Sequence, residues 1–177
     1  MPTSQEWTTL AANGFRDYRL RVYGLVENPV ELSLDQIKAL GHTSQITLHH
    51  CIQGWSGIAQ WGGLRMPDLM KLVRPIPSAR AVLFYSFSEG TGGGQYYDSH
   101  SIQNMRHPQA LLAIEMNNQP LNDIHGAPLR LRTENQLGFK MVKWICAIEF
   151  AADVKHVYKG QGGYAQDNEF FDSMADI

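Results

Sequence analysis

Cysteine is scarce in this chain, with only Cys51 and Cys146 among 177 residues. The two thiols lie in very different surroundings, which does not indicate a disulfide framework, and one thiol cannot complete a zinc site alone. Long apolar runs are also missing, since no segment reaches the ~18 consecutive apolar residues of a membrane helix. The first residues have neither a charged start nor an apolar stretch, so we expect no signal peptide and no membrane span in this chain.

An excess of charge of one sign is lacking too, because the formal net charge is −2 and no block of basic residues occurs. This balance gives no reason to expect a nucleic-acid partner. Neither a Gly-x-Gly-x-x-Gly nor a Walker motif is present, so the sequence does not support dinucleotide or ATP binding. The location stays open: periplasmic if a leader was removed upstream, and cytoplasmic otherwise.

The composition is that of an ordered globular protein, with 44% apolar and 18% charged residues. The length favours one domain over residues 1–177. Within this domain, we expect the first 17 or so residues to be a lead-in and residues 158–177 to be a coil-like tail.

Predicted helices are few and short. Ser33 and Gln36 have the spacing of a capping box that opens a helix through Leu40. Residues 67–73 form a second helix, with proline in its first turn. Alternating or apolar segments predict strands at residues 16–26, 46–52, 81–87, 110–116, 129–133 and 142–150. This mixture predicts an α+β fold, a single sheet-rich domain with few short helices.

The surroundings of Cys51 are the most informative local feature. Residues 45–56 read QITLHHCIQGWS, an apolar strand that delivers one thiol to a glycine-containing turn. Residues two apart on a strand share a face, so His49 and Cys51 are expected on the same side. The pair is half of a possible zinc or copper site, although zinc requires three or four ligands. The residues alone leave open an inert core thiol, a nucleophile and a metal ligand.

A second constellation is cationic and consists of Arg130, Arg132, Lys140 and Lys143. Alternation places the two arginines on one face of a strand, and the turn at residues 138–140 can direct a lysine back toward them. Arginine offers paired donors and lysine a point charge, so the cluster suits a phosphate or another anion. The alternative is an edge strand with ordinary surface charges.

Four segments in the same order resemble a known family. They are residues 49–56 (HHCIQGWS), 107–117 (HPQALLAIEMN), 125–132 (HGAPLRLR) and 136–144 (QLGFKMVKW). Together they resemble the molybdopterin-binding domain of the sulfite oxidase family, nearest its bacterial methionine-sulfoxide-reductase-like branch. The resemblance implies the sheet-rich fold of that domain and runs over most of the chain.

The resemblance also implies a cofactor, a molybdenum held by a single pterin dithiolene and one protein cysteine. Here that cysteine is Cys51, as metal ligand and catalytic residue, because a thiolate is a soft, charged ligand. Tyr97, beside the glycine-rich loop, is the candidate for the rim of the pocket. The positions that match the family's contacts to the pterin and its phosphate are His49, His125, Arg130, Lys140 and Lys143.

The implied function is oxygen-atom transfer with a separate electron carrier, such as a cytochrome or a membrane haem protein. The implied substrate is a small S- or N-oxide, because relatives commonly carry an arginine where this chain has Leu48 and an acidic residue where it has Gln53. Loss of a cation near the metal weakens attraction of an anion such as sulfite. The alternatives are a non-catalytic molybdopterin-binding module and a zinc- or copper-binding domain.

Overall fold

Two five-stranded sheets form the frame of the protein. The computed structural model describes residues 1–51, 54–90, 94–136 and 138–157. Its strands are β1 (Leu20–Gly24), β2 (Val30–Leu32), β3 (Thr43–His50), β4 (Ser56–Arg65), β5 (Ala81–Glu89), β6 (Gln95–Ser101), β7 (Leu111–Met116), β8 (Gln119–Pro120), β9 (Arg130–Arg132) and β10 (Ile145–Ala151). Its helices are α1 (Gln5–Ala12), α2 (Leu34–Leu40), α3 (Met66–Val73) and α4 (Ile102–Met105), with a 3-10 turn at Gly138–Lys140.

The first sheet has the order β2-β1-β10-β5-β6, and the second has β3-β4-β7-β8 with β9 paired to β7. Pairing is antiparallel except between β1 and β10, which run parallel. The sheet-rich α+β fold predicted from the sequence is therefore confirmed.

The main core lies between the two sheets and under helices α2 and α3. Both sheets contribute aliphatic and aromatic side chains to one buried cluster, which removes their apolar faces from water. Its members include Leu20, Val22, Ile37, Leu64, Leu69, Phe84, Leu112, Leu131, Ile148 and Phe150.

Local signals placed the short helices well. The hydroxyl of Ser33 accepts from the N–H of Gln36, and the Gln36 side chain accepts from the N–H of Ser33, so α2 has the predicted capping box. Helix α3 begins one residue before the predicted start, with a proline in its first turn. No described helix is both long and apolar enough to span a membrane.

Helix α1 was not predicted, since it lies within the expected lead-in. Its indole Trp7 is buried, and the ring N–H donates to the carbonyl of Ala127 at 3.1 Å. This contact ties the first turn of the chain to the segment before β9. The predicted tail at residues 158–177 and the centre of the glycine-rich loop, 91–93, lie outside the described residues.

Candidate functional site

The β3–β4 hairpin delivers the thiol of Cys51. Strand β3 ends at His50, and the N–H of Cys51 still donates to the carbonyl of Trp55 at 3.0 Å. The carbonyl of Cys51 accepts from the N–H of Gly54 at 3.0 Å. The thiol is free and partly exposed. The backbone thus fixes the cysteine at the end of a strand and leaves its sulfur available.

Alternation along β3 separates two faces of the hairpin. Thr47 and His49 point to the inner face, where Trp61 of the neighbouring strand β4 is buried. Gly138 lies against this face, because a Cβ built there would be 2.5 Å from Cε1 of His49. A side chain at position 138 would therefore require the His49 ring to move. The His49 and Trp55 rings also contact each other, with centroids 5.4 Å apart.

Two buried guanidinium groups share the indole ring of Trp61. The Cζ atoms of Arg130 and Arg132 lie 4.7 and 4.4 Å from the ring centroid, within the range of a cation–π contact. Arg132 donates from Nε and Nη2 to both carboxylate oxygens of Glu134, at 2.8 and 2.6 Å. Arg130 donates from Nη1 to the carbonyl of His125 at 2.9 Å. Within the described residues, Arg130 has no carboxylate partner.

The charge of Arg130 is therefore only partly compensated. Burial, followed by repulsion from Arg132, lowers the pKa of Arg130, which means that the cationic form is destabilised in this environment. Burial, followed by the charges of Arg132 and Arg130, lowers the pKa of His49 to about 4. His49 is therefore neutral near pH 7. The positive charges of Arg130 and Arg132 would attract an anion at this place.

Several buried polar atoms on these elements have no hydrogen-bond partner in the described part of the chain. Such atoms cost free energy unless a ligand or water satisfies them. They are Thr47 Oγ1, His49 Nδ1, Trp61 Nε1, Arg130 Nε and Thr133 Oγ1. Together with the buried cation, they fit a polar ligand that carries an anionic group, as a pterin phosphate does.

His125 and Lys143 lie beside Arg130, as the sequence predicted. Gly126 packs between Lys143 and Arg130, since a Cβ there would be 3.0 Å from Lys143 Cγ and 3.2 Å from Arg130 Cβ. The ring of His125 hydrogen-bonds to Asn122 through Nδ1 at 2.7 Å. Lys143 Nζ donates to the carbonyl of Ile124 at 3.1 Å. Burial, followed by repulsion from Arg130, lowers the pKa of Lys143.

Lys140 does not join this cluster. Its side chain is fully buried and forms an ion pair with Asp98, and Nζ also donates to the carbonyl of Ser99 at 2.7 Å. An ammonium already held by a carboxylate and a carbonyl is poorly placed to bind a phosphate. This geometry does not support the expected cofactor contact of Lys140 and indicates a structural role.

Tyr97 does not lie on the rim of a pocket either. It is 2% exposed, belongs to a separate apolar cluster with Leu83 and Tyr85, and its hydroxyl donates to the carbonyl of Val157 at 3.3 Å. Its neighbour Tyr96 instead lines a cavity of about 380 Å³, together with Gly138, Phe139, Lys143 and Trp144. Successive residues on a strand face opposite sides, so Tyr96 and Tyr97 differ in what they contact.

Leu48 also lies away from the site. Its side chain is 49% exposed on the outer face of β3, opposite to Thr47 and His49. Gln53 lies outside the described residues. No group of three His, Cys, Asp or Glu side chains within the described ranges could hold a metal ion, and the zinc or copper alternative has no support there.

Sequence reasoning missed Trp61, Thr47, Thr133 and Glu134. Thr47 was in reach, because it is two residues before His49 and so shares its face. Trp61 gave no separate signal, since a tryptophan in a strand usually belongs to the core. Its role depends on the contact between Trp61 of β4 and Arg130 of β9, which are 69 residues apart in the chain. The two strands are brought together because both pair with β7.

Comparison with known proteins shows the family to which the chain belongs. Residues 8–159 match the family described as oxidoreductase molybdopterin binding domain. The chain is 33% identical over 153 residues to YedZ1 of Azospira oryzae, which is named as a protein-methionine-sulfoxide reductase subunit. The matched region covers 86% of this chain and 54% of the relative. It is 30% identical over 143 residues to the protein-methionine-sulfoxide reductase catalytic subunit MsrP of Xanthomonas axonopodis, with 75% and 44% covered.

The likeness extends to sulfite oxidase of Arabidopsis thaliana, at 29% identity over 180 residues with 84% of this chain and 46% of the relative covered. The fold resembles the sulfane dehydrogenase SoxCD of Paracoccus pantotrophus, with a TM-score of 0.67, 21% identity, and 78% and 39% of the two chains covered. The chain thus spans about half the length of the relatives it matches. It belongs to the oxidoreductase molybdopterin-binding domain family, within the sulfite oxidase type and nearest the methionine-sulfoxide-reductase branch.

Proposed function

We propose that this chain is the catalytic domain of a molybdenum oxidoreductase that removes an oxygen atom from a small S-oxide. The observation that carries the proposal is the buried guanidinium of Arg130, which pairs directly with no carboxylate in the described residues. It lies beside buried polar atoms without a described hydrogen-bond partner, on the face that leads to Cys51. That arrangement suits one long ligand with an anionic end and a metal end. Membership of the molybdopterin-binding family gives the class of ligand.

In this proposal, Cys51 is the only protein ligand of the metal, and a single pterin dithiolene completes the cofactor. The bound molybdenum would supply two-electron chemistry at oxygen. The chain's own contribution is to anchor and orient: Cys51 offers a thiolate, Arg130 and Lys143 offer charge-assisted donors to the phosphate, and His49 offers a neutral ring.

The position of His49 gives it a defined role. Because its pKa is lowered to about 4, the ring stays neutral near pH 7 and does not add to the positive charge of Arg130 and Arg132. Its Nδ1 has no partner in the described residues. A neutral imidazole with one open nitrogen can donate or accept a hydrogen bond from the pterin, and His125 borders the same cluster through its carbonyl.

The names of the relatives support an S-oxide as the substrate. The two bacterial relatives are named for reduction of methionine sulfoxide in proteins, and the plant relative for oxidation of sulfite. Both reactions move one oxygen atom to or from sulfur. We propose the first reaction for this chain, on the support of its 33% and 30% identity to the bacterial pair.

A separate electron carrier is part of the proposal. Two electrons must reach the site for each oxygen removed as water, and within the described residues the site offers one thiol and no cluster of metal ligands. We propose a cytochrome or a membrane haem protein as the donor. Both bacterial relatives are named as subunits, which agrees with an electron donor outside this chain.

The test begins with metal analysis of the purified protein, followed by steady-state assays with methionine sulfoxide and with sulfite. We expect molybdenum and pterin in equal amounts, and faster reduction of the sulfoxide by a chemical electron donor than oxidation of sulfite. Fast sulfite turnover with little sulfoxide reduction would contradict the proposed direction. A molybdenum-loaded protein that is silent with both substrates would instead support a non-catalytic module.

A further inference from the structure

Strand β3 is an edge of the second sheet, because its pairing partner in the described residues is β4 alone. The bond from the Cys51 N–H to the Trp55 carbonyl fixes which residues pair with β4. In an antiparallel ladder the hydrogen-bonded pairs alternate, so the odd-numbered residues of β3 face β4. The N–H and C=O groups of Ser44, Ile46 and Leu48 therefore point away from the sheet. No described group bonds to them.

As far as the described residues show, this edge lacks the usual protection against pairing with another chain. Sheet edges are commonly blunted by charged side chains, proline, bulges or very short length. Strand β3 has eight residues without a charged side chain or proline, and its register against β4 is continuous. By contrast, the β2 edge of the first sheet has three residues. The β3 edge is thus prepared to accept one more strand.

The two faces beside the edge differ in chemistry. Ile46, Leu48 and Ile58 form an exposed apolar outer face, with Ile46 and Ile58 more than 70% exposed. The inner face carries Thr47 and His49 of the candidate site. A strand added along β3 would place alternate side chains on each face, with Cβ atoms about 5 Å from those of β3.

We propose that the edge of β3 at Ser44, Ile46 and Leu48 binds the sulfoxide-bearing substrate as an extended polypeptide segment, added to the sheet as a further strand. Main-chain hydrogen bonds to Ile46 and Leu48 would bind the peptide with little regard to sequence, and the outer face would favour apolar neighbours. One inner-face side chain of the peptide would then lie next to His49, two residues before Cys51. The inference rests on the proposed function and extends its substrate from a small S-oxide to an S-oxide carried on a polypeptide.

A second copy of this chain fits the edge less well. Eight residues at ~3.3 Å each give an edge roughly 26 Å long, and a strip ~10 Å high covers on the order of 260 Å². A stable dimer needs about 800 Å² from each partner. A peptide that is released after each turnover needs no such area. The edge also ends next to Cys51, the proposed metal ligand. A substrate bound along the edge would therefore lie close to the metal, whereas self-association would not require this position.

The test compares N-acetyl methionine sulfoxide methylamide with a neutral nine-residue peptide that carries one central methionine sulfoxide. On molybdenum-loaded protein, we expect the KM of the peptide to be at least tenfold lower, equivalent to about 1.4 kcal/mol, with similar kcat. Ile46→Pro removes one outward N–H at an edge position that tolerates proline. It should raise the KM of the peptide at least tenfold and leave turnover of the small compound unchanged.

Ile46→Thr is the matched control, since it shortens the same side chain and keeps the N–H; we expect less than a threefold change. A peptide N-methylated at alternate residues should lose binding to the unmodified protein, which covers the case in which Ile46→Pro fails to fold. Peptide binding is also followed by fluorescence anisotropy, without turnover. Absence of small-sulfoxide reduction would defeat the proposed function, whereas equal handling of peptide and N-methylated peptide, or a dimer in solution blocked by Ile46→Pro, would overturn the edge inference.

Discussion

The sharpest consequence of the structure concerns Lys140, which the sequence assigned to the cofactor and the fold places in an ion pair with Asp98. Both side chains are fully buried. Removal of one partner from such a pair leaves an uncompensated charge in the core and costs about 3–5 kcal/mol. For a domain of this size, each kcal/mol lowers Tm by ~2–4 °C. We therefore expect Lys140→Met to lower Tm by roughly 6–20 °C.

Thermal and urea unfolding of the cofactor-free protein measure this effect without interference from the ligand. The double variant Lys140→Met with Asp98→Asn should lose less than the sum of the two single variants, by about 0.5–3 kcal/mol, because the charges interact directly. Lys71→Met is the matched control, since Lys71 pairs with Asp68 but is 75% exposed, and its expected cost is about 0–1 kcal/mol.

One result would refute this reasoning. If Lys140→Met unfolded at the same temperature as the unmodified protein and yet lost the cofactor on dialysis, the lysine would be a ligand contact and its bond to Asp98 would carry no stability. The sequence-based assignment would then be restored.

Three further predictions address the site. Cys51→Ser should abolish activity and the thiolate-to-metal absorption, whereas Cys146→Ser, at a thiol whose pKa is raised by burial, should leave both nearly intact; the reverse pattern would contradict the assignment. Lys143→Ala should weaken cofactor retention roughly tenfold to a hundredfold, from a charge-assisted contact of about 1.5–3 kcal/mol, and unchanged pterin content after dialysis would show a surface charge. Burial lowers the pKa of His100 to about 3, so the unfolded chain binds a proton that the folded chain does not, and the free energy of unfolding should fall as pH drops from about 6.5 toward 4; urea titrations should show a smaller fall in His100→Gln.

Features that depend on neighbouring residues could be predicted from the sequence. The capping box of α2 needs only Ser33 and Gln36, and it forms as predicted. Asn117 and Asn118 are of a residue type that tolerates positive φ in turns, and both adopt it, at 52° and 60°, between β7 and β8. Pairing of Arg130 with Arg132 on one face follows from alternation alone.

Features that depend on distant partners could not be predicted. The carboxylate that holds Lys140 is 42 residues away on β6, and no local pattern links the two. The face on which Tyr97 lies depends on how β6 pairs with β5, where the register shifts between Tyr85 and Glu89. Helix α1 is stabilised by the contact of Trp7 with Ala127, 120 residues later in the chain. Periodicity within a segment carries no information on these contacts.

The shared indole of Trp61 has a consequence for how the protein is assembled. Two guanidinium groups lie against one ring, and in the described part of the chain one carboxylate, that of Glu134, pairs directly with one of them, Arg132. An anion that binds the folded chain and not the unfolded one raises stability in proportion to the logarithm of its concentration over its Kd. Without its bound anion, the folded protein therefore has an excess of positive charge at Trp61. The protein with a bound anion should resist unfolding more than the protein without one. Proteases that cleave unfolded chains would therefore degrade the molecules that lack the anion first.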